Sequence, residues 1–190
     1  PNTDADVDFN SVSIASNAIG IETSGTGDIT MTDVTMANTK DVVIKSAANV
    51  EFVEGTVSTS SVEVTGAGKF TRMRQLDVTL TADAAGIPGA SVTLLDASVA
   101  SSGNGVTDSS GVAQDLKYVT ATVDSSGLTT PSLAGYEVMT VAKVEYYYNT
   151  SSDNVADFRY AKQAVSIADT SGNAVTVPLT TKVTERVCWY

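Results

Sequence analysis

A repeat of about 21 residues in the first third of the chain constrains the fold more than any other feature of the sequence. Segments 7–14, 29–36 and 50–57 align with successive offsets of 22 and 21 residues. In each copy, two apolar pairs alternate as in a strand, but one extra polar residue separates the pairs. The aligned residues are Val7, Ile29 and Val50; Phe9, Met31 and Phe52; Val12, Val34 and Gly55; and Ile14, Met36 and Val57.

The extra polar residue indicates a corner in the chain. A strand with one buried face keeps a period of two, so an insertion of one residue would turn the following side chains to the opposite face. The chain must therefore bend there if both apolar pairs are to enter one core. The corner position recurs at Ser11, Asp33, Glu54 and Gln75. A further offset of 21 residues predicts a fourth copy aligned at Thr71, Met73, Leu76 and Val78.

A second strand-like element follows each of the first three copies, at 19–22, 42–45 and 61–64. Short strands, polar corners and a fixed period predict a stacked β-solenoid. The pattern resembles the right-handed parallel β-helix repeats of many surface and polysaccharide-processing proteins. We expect Phe9, Met31, Phe52 and Met73 to form one buried column. The first coil would present open strand edges, so we expect further coils before Pro1, or another subunit, to cover them.

The style of the sequence changes after residue 75. The segments GIPGASVTLLD (86–96) and GNGVTDSSGVA (103–113) resemble the Ig-like or carboxypeptidase-regulatory-like (transthyretin-like) β-sandwich. The residues that carry this resemblance are Gly86, Pro88, Val92 and Leu94 in the strand, and Thr107, Asp108 and Gly111 in the turn. Ala90 comes one position earlier than in that pattern. The resemblance implies a secreted spacer or an assembly surface, and it implies no chemistry.

The predicted fold class is all-β, with a short parallel β-helix (residues 1–75) joined to an antiparallel Ig-like β-sandwich (residues 76–190). Abundant Thr, Val and Ser favour strands and turns, and no run of period 3.6 exceeds about two turns. Three Asp-[Ser/Thr]-Ser-Gly motifs, starting at Asp108, Asp124 and Asp169, predict hairpin turns between strands. No linker separates the two modules, so one strand is expected to serve both.

The charge and the composition exclude several classes of function. The net charge is −11, with 22 acidic and 11 basic residues and no His. Such a negative field disfavours binding to nucleic acid and to anionic membranes. No apolar stretch approaches about 18 residues, so no membrane insertion is predicted. The lack of His removes the commonest general base and metal ligand. Cys188 is the single cysteine, which excludes an internal disulfide.

Two acidic groups are candidate sites. Asp4, Asp6 and Asp8 alternate like the oxygen ligands of a calcium loop, although Phe9 stands where such a loop has Gly. A calcium site and a solvated alternating strand are both open interpretations.

The second candidate is the corner column of Asp33 and Glu54, which the repeat places about 4.8 Å apart. Such carboxylates can share a proton or a cation. With Arg72 and Arg74 nearby in sequence, this column is the basis of a polysaccharide-lyase interpretation. A plain polar corner is the alternative.

Aromatic residues and a sequon mark candidate contacts in the second module. Tyr146 and Tyr148 share one face of a predicted strand, and Trp189 and Tyr190 end the chain. All four are candidate assembly contacts, because Tyr and Trp favour interfaces. Asn149 opens an Asn-Thr-Ser glycosylation sequon.

The sequence therefore predicts a non-catalytic extracellular structural protein, a self-assembling subunit or segment of a surface layer, filament, stalk or adhesin. Its composition resembles that of secreted archaeal surface proteins. The expected partners are copies of itself joined head-to-tail, with glycans as a further partner class, and no cofactor is expected unless calcium binds. The alternative is a carbohydrate-binding or lyase-derived β-helix fragment.

Overall fold

The computed structural model describes residues 5–82, 84–148, 154–179 and 181–187. Within these ranges the chain forms β-strands and one 3-10 turn at Thr59–Ser61, with no α-helix, which confirms the all-β prediction. In chain order the strands are β1 (Val7–Asn10), β2 (Ser13–Ala15), β3 (Ile19–Thr23), β4 (Ile29–Thr32), β5 (Thr35–Ala37), β6 (Lys40–Ile44), β7 (Asn49–Val53), β8 (Val62–Val64), β9 (Lys69–Ala82), β10 (Ala85–Gly86), β11 (Ser91–Leu95), β12 (Ser101–Val106), β13 (Val112–Asp124), β14 (Gly127–Thr129), β15 (Glu137–Tyr148), β16 (Asn154–Ala164), β17 (Asn173–Pro178) and β18 (Thr181–Val187).

The chain divides into two compact units. Unit 1 comprises Pro1–Arg74, Lys117–Ser132 and Asp169–Ser171. Unit 2 comprises Gln75–Leu116, Leu133–Ala168 and Gly172–Tyr190. The long strands β9 and β13 each contribute residues to both units. Two later segments of the chain thus belong to the same unit as the repeats.

Unit 1 contains a parallel β-solenoid of about three coils. Its three faces are the strand sets β1-β4-β7-β9, β2-β5 and β3-β6-β8, and neighbouring strands within each set run parallel. The pairing follows the repeat found in the sequence, because Phe9 lies opposite Met31 and Met31 opposite Phe52. The prediction of a solenoid is therefore confirmed for the first three copies.

The corner position of each copy adopts a left-handed backbone conformation. The φ angles of Ser11, Asp33 and Glu54 are 53°, 54° and 59°. This conformation bends the chain sharply, and Asp is among the non-glycine residues that tolerate it best. In the third coil Gly55 is also left-handed, with φ 71°, and a Cβ there would lie 2.2 Å from the Val34 carbonyl oxygen. Glycine is therefore required where the first two copies carry valine.

The predicted fourth copy is wrong. Val50 lies opposite Phe70 and Phe52 opposite Arg72, so the last offset is 20 residues and not 21. Met73 lies opposite Val53 instead of extending the column of Phe52. The strand β9 also runs on to Ala82 without a corner at the expected position. The apolar alternation that starts at Phe70 is interrupted in the sequence, because the next two positions on the same side of β9 are Arg72 and Arg74.

The core of unit 1 is built from the aligned apolar positions of the coils. Met31, Val34, Phe52 and Phe70 are fully buried. The rings of Phe52 and Phe70 lie 6.0 Å apart between centroids, at 39° to each other. Val123 of β13 joins the same cluster, and β13 follows β9 in the sheet, with β14 beyond it. The sheet of the first face therefore continues past the last coil.

Unit 2 contains a five-stranded antiparallel sheet in the order β12-β11-β15-β16-β18. The part of β9 from Gln75 onward pairs with β10 antiparallel and with β17 parallel. Apolar residues of both strand sets are buried, including Leu80, Leu94 and Val138. The parallel pair departs from the wholly antiparallel sandwich that the sequence predicts.

The three Asp-[Ser/Thr]-Ser-Gly motifs predict hairpin turns, and the prediction is confirmed only for the second: the Asp124 motif joins the paired strands β13 and β14, whereas the Asp108 and Asp169 motifs lie between strands of different sheets. In the first, Asp108 Oδ1 accepts hydrogen bonds from the backbone N–H groups of Ser110, at 2.8 Å, and Val112, at 3.0 Å. In the second, Asp124 pairs with Gly127 across the hairpin of β13 and β14. Asp in the first turn position thus satisfies backbone donors that the turn leaves without a backbone partner.

Candidate functional site

An ion-pair cluster formed by Arg72, Arg74, Glu54 and Asp169 lies in unit 1, beyond the third coil. The strand β9 places both arginines, because Arg72 follows Phe52 in its column and Arg74 is two residues further along. The corner after β7 supplies Glu54. The short segment Asp169–Ser171 supplies the second carboxylate, almost a hundred positions later in the chain.

Both arginines are held by several partners. Arg74 Nε donates to Asp169 Oδ1 at 3.1 Å, and Arg74 Nη1 donates to the Gly55 carbonyl oxygen at 2.9 Å. Arg74 Nη1 also lies 3.7 Å from Glu54 Oε2. Arg72 Nε donates to Thr120 Oγ1 at 3.1 Å, and Arg72 Nη2 forms an ion pair with Asp169.

Burial and charge balance define what this cluster can do. The side chains of Arg74 and Glu54 are only 10% and 8% exposed. Two guanidinium groups face two carboxylates, of which Glu54 is buried and Asp169 is partly exposed, so the buried charges have partners of opposite sign. A lyase needs a basic group that is free to take a proton and a cation that is free to bind an acidic sugar. The ion-pair cluster instead fixes Asp169–Ser171 and β13 to the end of the coils.

Asp33 and Glu54, the two carboxylates of the predicted corner column, have different surroundings. Both have the left-handed conformation of a corner. Asp33 is exposed, whereas Glu54 is buried and its carboxylate lies near Arg74. The structure thus brings Glu54 to Arg74, one of the two arginines that the sequence sets beside it, and leaves Asp33 at the surface.

A ladder of Asp and Asn side chains links successive coils, which the sequence analysis missed. Asp6 Oδ1 accepts the backbone N–H of Asp28 at 3.0 Å, and Asp28 Oδ1 accepts the backbone N–H of Asn49 at 2.9 Å. These three residues are spaced by 22 and 21 positions, so the repeat itself carried the signal. Side chains in the ladder satisfy backbone donors at the coil entries and so fix the stacking register.

A buried carboxylate, Asp41, anchors a second corner. It is 2% exposed, and its Oδ1 accepts the backbone N–H of Asn38 at 2.8 Å. Its Oδ2 accepts the backbone N–H of Ser58 at 3.4 Å and the hydroxyl of Ser61. Asn38 Oδ1 in turn accepts the backbone N–H of Asn17 at 3.1 Å. One carboxylate therefore connects the second coil to the third.

The first coil leaves its edges open in the part of the chain that the structure describes. The strands β1, β2 and β3 are each the first strand of their face, so all three faces end at this coil. Burial rises along the stack accordingly: Val7 is 42% exposed and its counterpart Val50 is 0% exposed. In the next column Val12 is 38% exposed, whereas Val34 is 0% exposed. We call the outward sides of β1, β2 and β3 the first-coil edge.

Most candidate sites from the sequence lie partly or wholly outside the described residues. Asp6 directly precedes β1, and Asp8 lies within it. Both residues are exposed, and Asp6 is part of the ladder. Asp4 is outside the described ranges, so the calcium site stays a prediction. Tyr146 and Tyr148 belong to β15, opposite Ala156 and Asn154 of β16. Asn149, Cys188, Trp189 and Tyr190 are also outside these ranges, and the predictions for them stand untested.

Searches for other sites and for related proteins gave no match. The described residues contain no group of three or more His, Cys, Asp or Glu side chains that could hold a metal ion. They also contain no helix long and apolar enough to cross a membrane. No protein-family model matches the chain, and no curated protein or solved structure is detectably similar to it. Fold and site define a β-solenoid protein with a partly buried ion-pair cluster beyond its third coil and, among the described residues, a first coil at which all three faces end.

Proposed function

We propose that the protein is a non-catalytic structural protein that associates with copies of itself outside the cell. It would serve as a subunit or segment of a surface layer, filament, stalk or adhesin. In the part of the chain that the structure describes, three sheet faces end at the first-coil edge with apolar side chains exposed, and this observation carries the proposal. Free strand edges of this kind are templates for another chain.

The chemistry of unit 1 supports a structural role. The absence of His and the engagement of Arg72 and Arg74 by carboxylates leave little from which to assemble a catalytic group. The Asp and Asn ladder and Asp41 serve coil stacking. The alternative of a carbohydrate-binding or lyase-derived fragment finds less support, because Arg72 and Arg74, the cations set beside the corner carboxylates, are held by carboxylates.

We assign unit 2 to the Ig-like or transthyretin-like sandwiches as part of the same proposal. The five-stranded antiparallel sheet and the Asp108 turn support the assignment. Its role would be that of a spacer or an assembly surface, with Tyr146 and Tyr148 as contacts. An extracellular setting, with a glycan on Asn149, agrees with the acidic, Ser- and Thr-rich composition. Mass spectrometry of the native protein would detect the glycan.

Self-association is tested with the purified chain. Light scattering after size exclusion, over protein concentrations from about 1 to 500 µM and at two salt concentrations, should show a mass that rises with concentration. Negative-stain electron microscopy would show the form of the assembly. A chain that remains monomeric under all these conditions would refute the proposal.

A further inference from the structure

We propose that Asn104 and Gly105 form a self-modification site, at which the chain converts Asn104 into aspartate or isoaspartate with water as the co-reactant. This inference goes beyond the proposed function and does not depend on association between copies. Asn104 is one of nine asparagines in the sequence, and it alone is followed by glycine. Glycine matters here because it has no Cβ, so its backbone reaches conformations closed to other residues and its nitrogen is unhindered.

The reaction joins two groups that the chain already holds next to each other. The Gly105 backbone nitrogen attacks Cγ of the Asn104 side chain, and a C–N bond forms that closes a succinimide ring. The bond between Cγ and Nδ2 then breaks, and Nδ2 leaves as ammonia with the proton that the Gly105 nitrogen gives up. Water opens the succinimide at either carbonyl, which yields aspartate or, with the main chain rerouted through Cγ, isoaspartate. Attack within one chain is fast because both groups are held together.

A hydroxyl group lies at the nitrogen that leaves. Asn104 Nδ2 donates a hydrogen bond to Ser101 Oγ at 2.9 Å, and both residues are exposed. A serine hydroxyl can donate a proton as well as accept one. Once the Gly105 nitrogen has added to Cγ, Nδ2 becomes basic, and the Ser101 hydroxyl can turn to protonate it while water restores the hydroxyl. Ser101 thus accelerates the loss of ammonia as a general acid.

The strand β12 controls access to the Gly105 nitrogen. Gly105 lies opposite Val92 of β11. The Thr107 N–H donates to the Ala90 carbonyl oxygen at 2.9 Å, and backbone groups alternate in direction along a strand, so the Gly105 N–H also points toward β11. Among the described residues, β12 pairs with β11 alone and is therefore an edge strand. The nitrogen is freed when this edge separates from β11, an opening that costs less than global unfolding.

Isoaspartate would disturb the end of β12, because it adds an extra carbon atom to the main chain. The next position is closely packed: a Cβ on Gly105 would lie 3.2 Å from Leu116 Cδ1 and 3.3 Å from Ala113 Cβ. Beyond it, the buried Thr107 hydroxyl donates to the Ile87 carbonyl oxygen at 2.6 Å. A shift of the main chain would strain both contacts. Ordinary aspartate keeps the main chain unchanged and should leave them intact.

Peptide mapping by mass spectrometry tests the site. The purified folded chain is incubated for weeks at neutral and at mildly alkaline pH, and conversion is followed at every asparagine. Asn104 should convert at least about tenfold faster than any other asparagine. The rate should rise with pH, because the attacking nitrogen must lose its proton. In the control Asn104→Gln the longer side chain closes a ring less readily, so this position should stay unmodified. Conversion at Asn104 no faster than elsewhere overturns the proposal.

Two variants of Ser101 separate proton transfer from restraint of the amide. Ser101→Ala should slow conversion at least about threefold, less than the roughly 10²–10⁴ of strong acid–base groups, because a hydroxyl is a weak acid. Ser101→Thr keeps the hydroxyl and should keep the rate within about twofold. Each rate is divided by the hydrogen-exchange rate of the Gly105 amide, which corrects for changes in strand opening. If the hydrogen bond only restrains Asn104, Ser101→Ala speeds conversion instead, and the role given to Ser101 is wrong.

The structural consequence has its own measurement. The isoaspartate form, isolated by chromatography, is compared with freshly purified Asn104→Asp, which has the same charge in an ordinary linkage. Hydrogen exchange at the Thr107 amide should be at least about tenfold faster in the isoaspartate form, and its urea midpoint should fall. Asn104→Asp should match the wild type in both measurements. Equal exchange rates in all three proteins would contradict the predicted disturbance of β12.

Discussion

Truncation of Phe52 tests the interior of the solenoid most directly. Phe52 is fully buried, lies opposite Met31 and Arg72 in adjacent strands, and contacts the ring of Phe70. Phe52→Ala removes this ring and leaves a cavity that neighbouring coils cannot fill without shifting. Substitutions of this type cost about 3–5 kcal/mol, and loss of the aromatic contact places the expected cost near the upper value.

The magnitude is large compared with the stability of an ordinary domain. A total of about 5–15 kcal/mol is typical, so the variant would lose a third or more of its free energy of unfolding. Urea unfolding followed by circular dichroism measures the loss, at protein concentrations low enough to keep the first-coil edge unpaired. The midpoint should fall with little change in slope.

The same column supplies a matched control. Phe9 is the counterpart of Phe52 in the first coil and is only partly buried. Phe9→Ala should cost about 1–2 kcal/mol, because less apolar surface leaves water on folding at that position. Equal costs for the two variants, or a cost below about 1 kcal/mol for Phe52→Ala, would show that burial does not increase along the stack as described.

Three further predictions follow from the polar groups. Asp41→Asn should lower the free energy of unfolding by about 1.5–3 kcal/mol, because an amide NH₂ would then face N–H and O–H donors that now bind the carboxylate. The control Asp33→Asn, at an exposed position, should not change the free energy of unfolding in the same urea titration. Hydrogen bonds from the backbone N–H groups of Val112 and Ser110 lower the pKa of Asp108. The ionised carboxylate therefore stabilises the fold above the ordinary Asp pKa, and this stabilisation is lost as the pH falls through the lowered pKa. Asp108→Asn should flatten the decrease in the free energy of unfolding between about pH 5 and 2. Incubation with common polysaccharides, with and without calcium, should release no reducing ends or unsaturated products, and cleavage abolished by Glu54→Gln would contradict the structural assignment.

The sequence alone predicts the repeat well, because the signal is local. Corner residues, apolar columns and turn motifs recur at a fixed spacing, and each can be identified without knowledge of distant contacts. The prediction fails at the fourth copy, where Arg72 and Arg74 occupy core-facing positions. An alignment based on apolar residues therefore shifted by one position, to Thr71 and Met73. The true register follows from Phe70, Leu76 and Val78, which alternate in step with the two arginines.

The ion-pair cluster could not be predicted, for a different reason. Its carboxylate Asp169 belongs to one of three similar turn motifs, and nothing near it in sequence separates it from the other two. Asp169 contacts Arg74 and Arg72, which lie 95 and 97 positions earlier in the chain. The ladder residues Asp6, Asp28 and Asn49 were within reach, since they share the repeat spacing, but the alignment followed apolar residues.

Asp169 is synthesised long after the coils that it contacts, and this determines the order in which unit 1 can fold. During synthesis at about 5–20 residues per second, the coils emerge many seconds before the segments that complete unit 1. Until then Arg72 and Arg74 lack Asp169, and the last coil lacks Val123. Contacts so distant in sequence also slow folding, because a long loop must close before they form. Until then water must solvate the guanidinium groups of Arg72 and Arg74, so unit 1 can reach its final packing only after residue 171 has been synthesised.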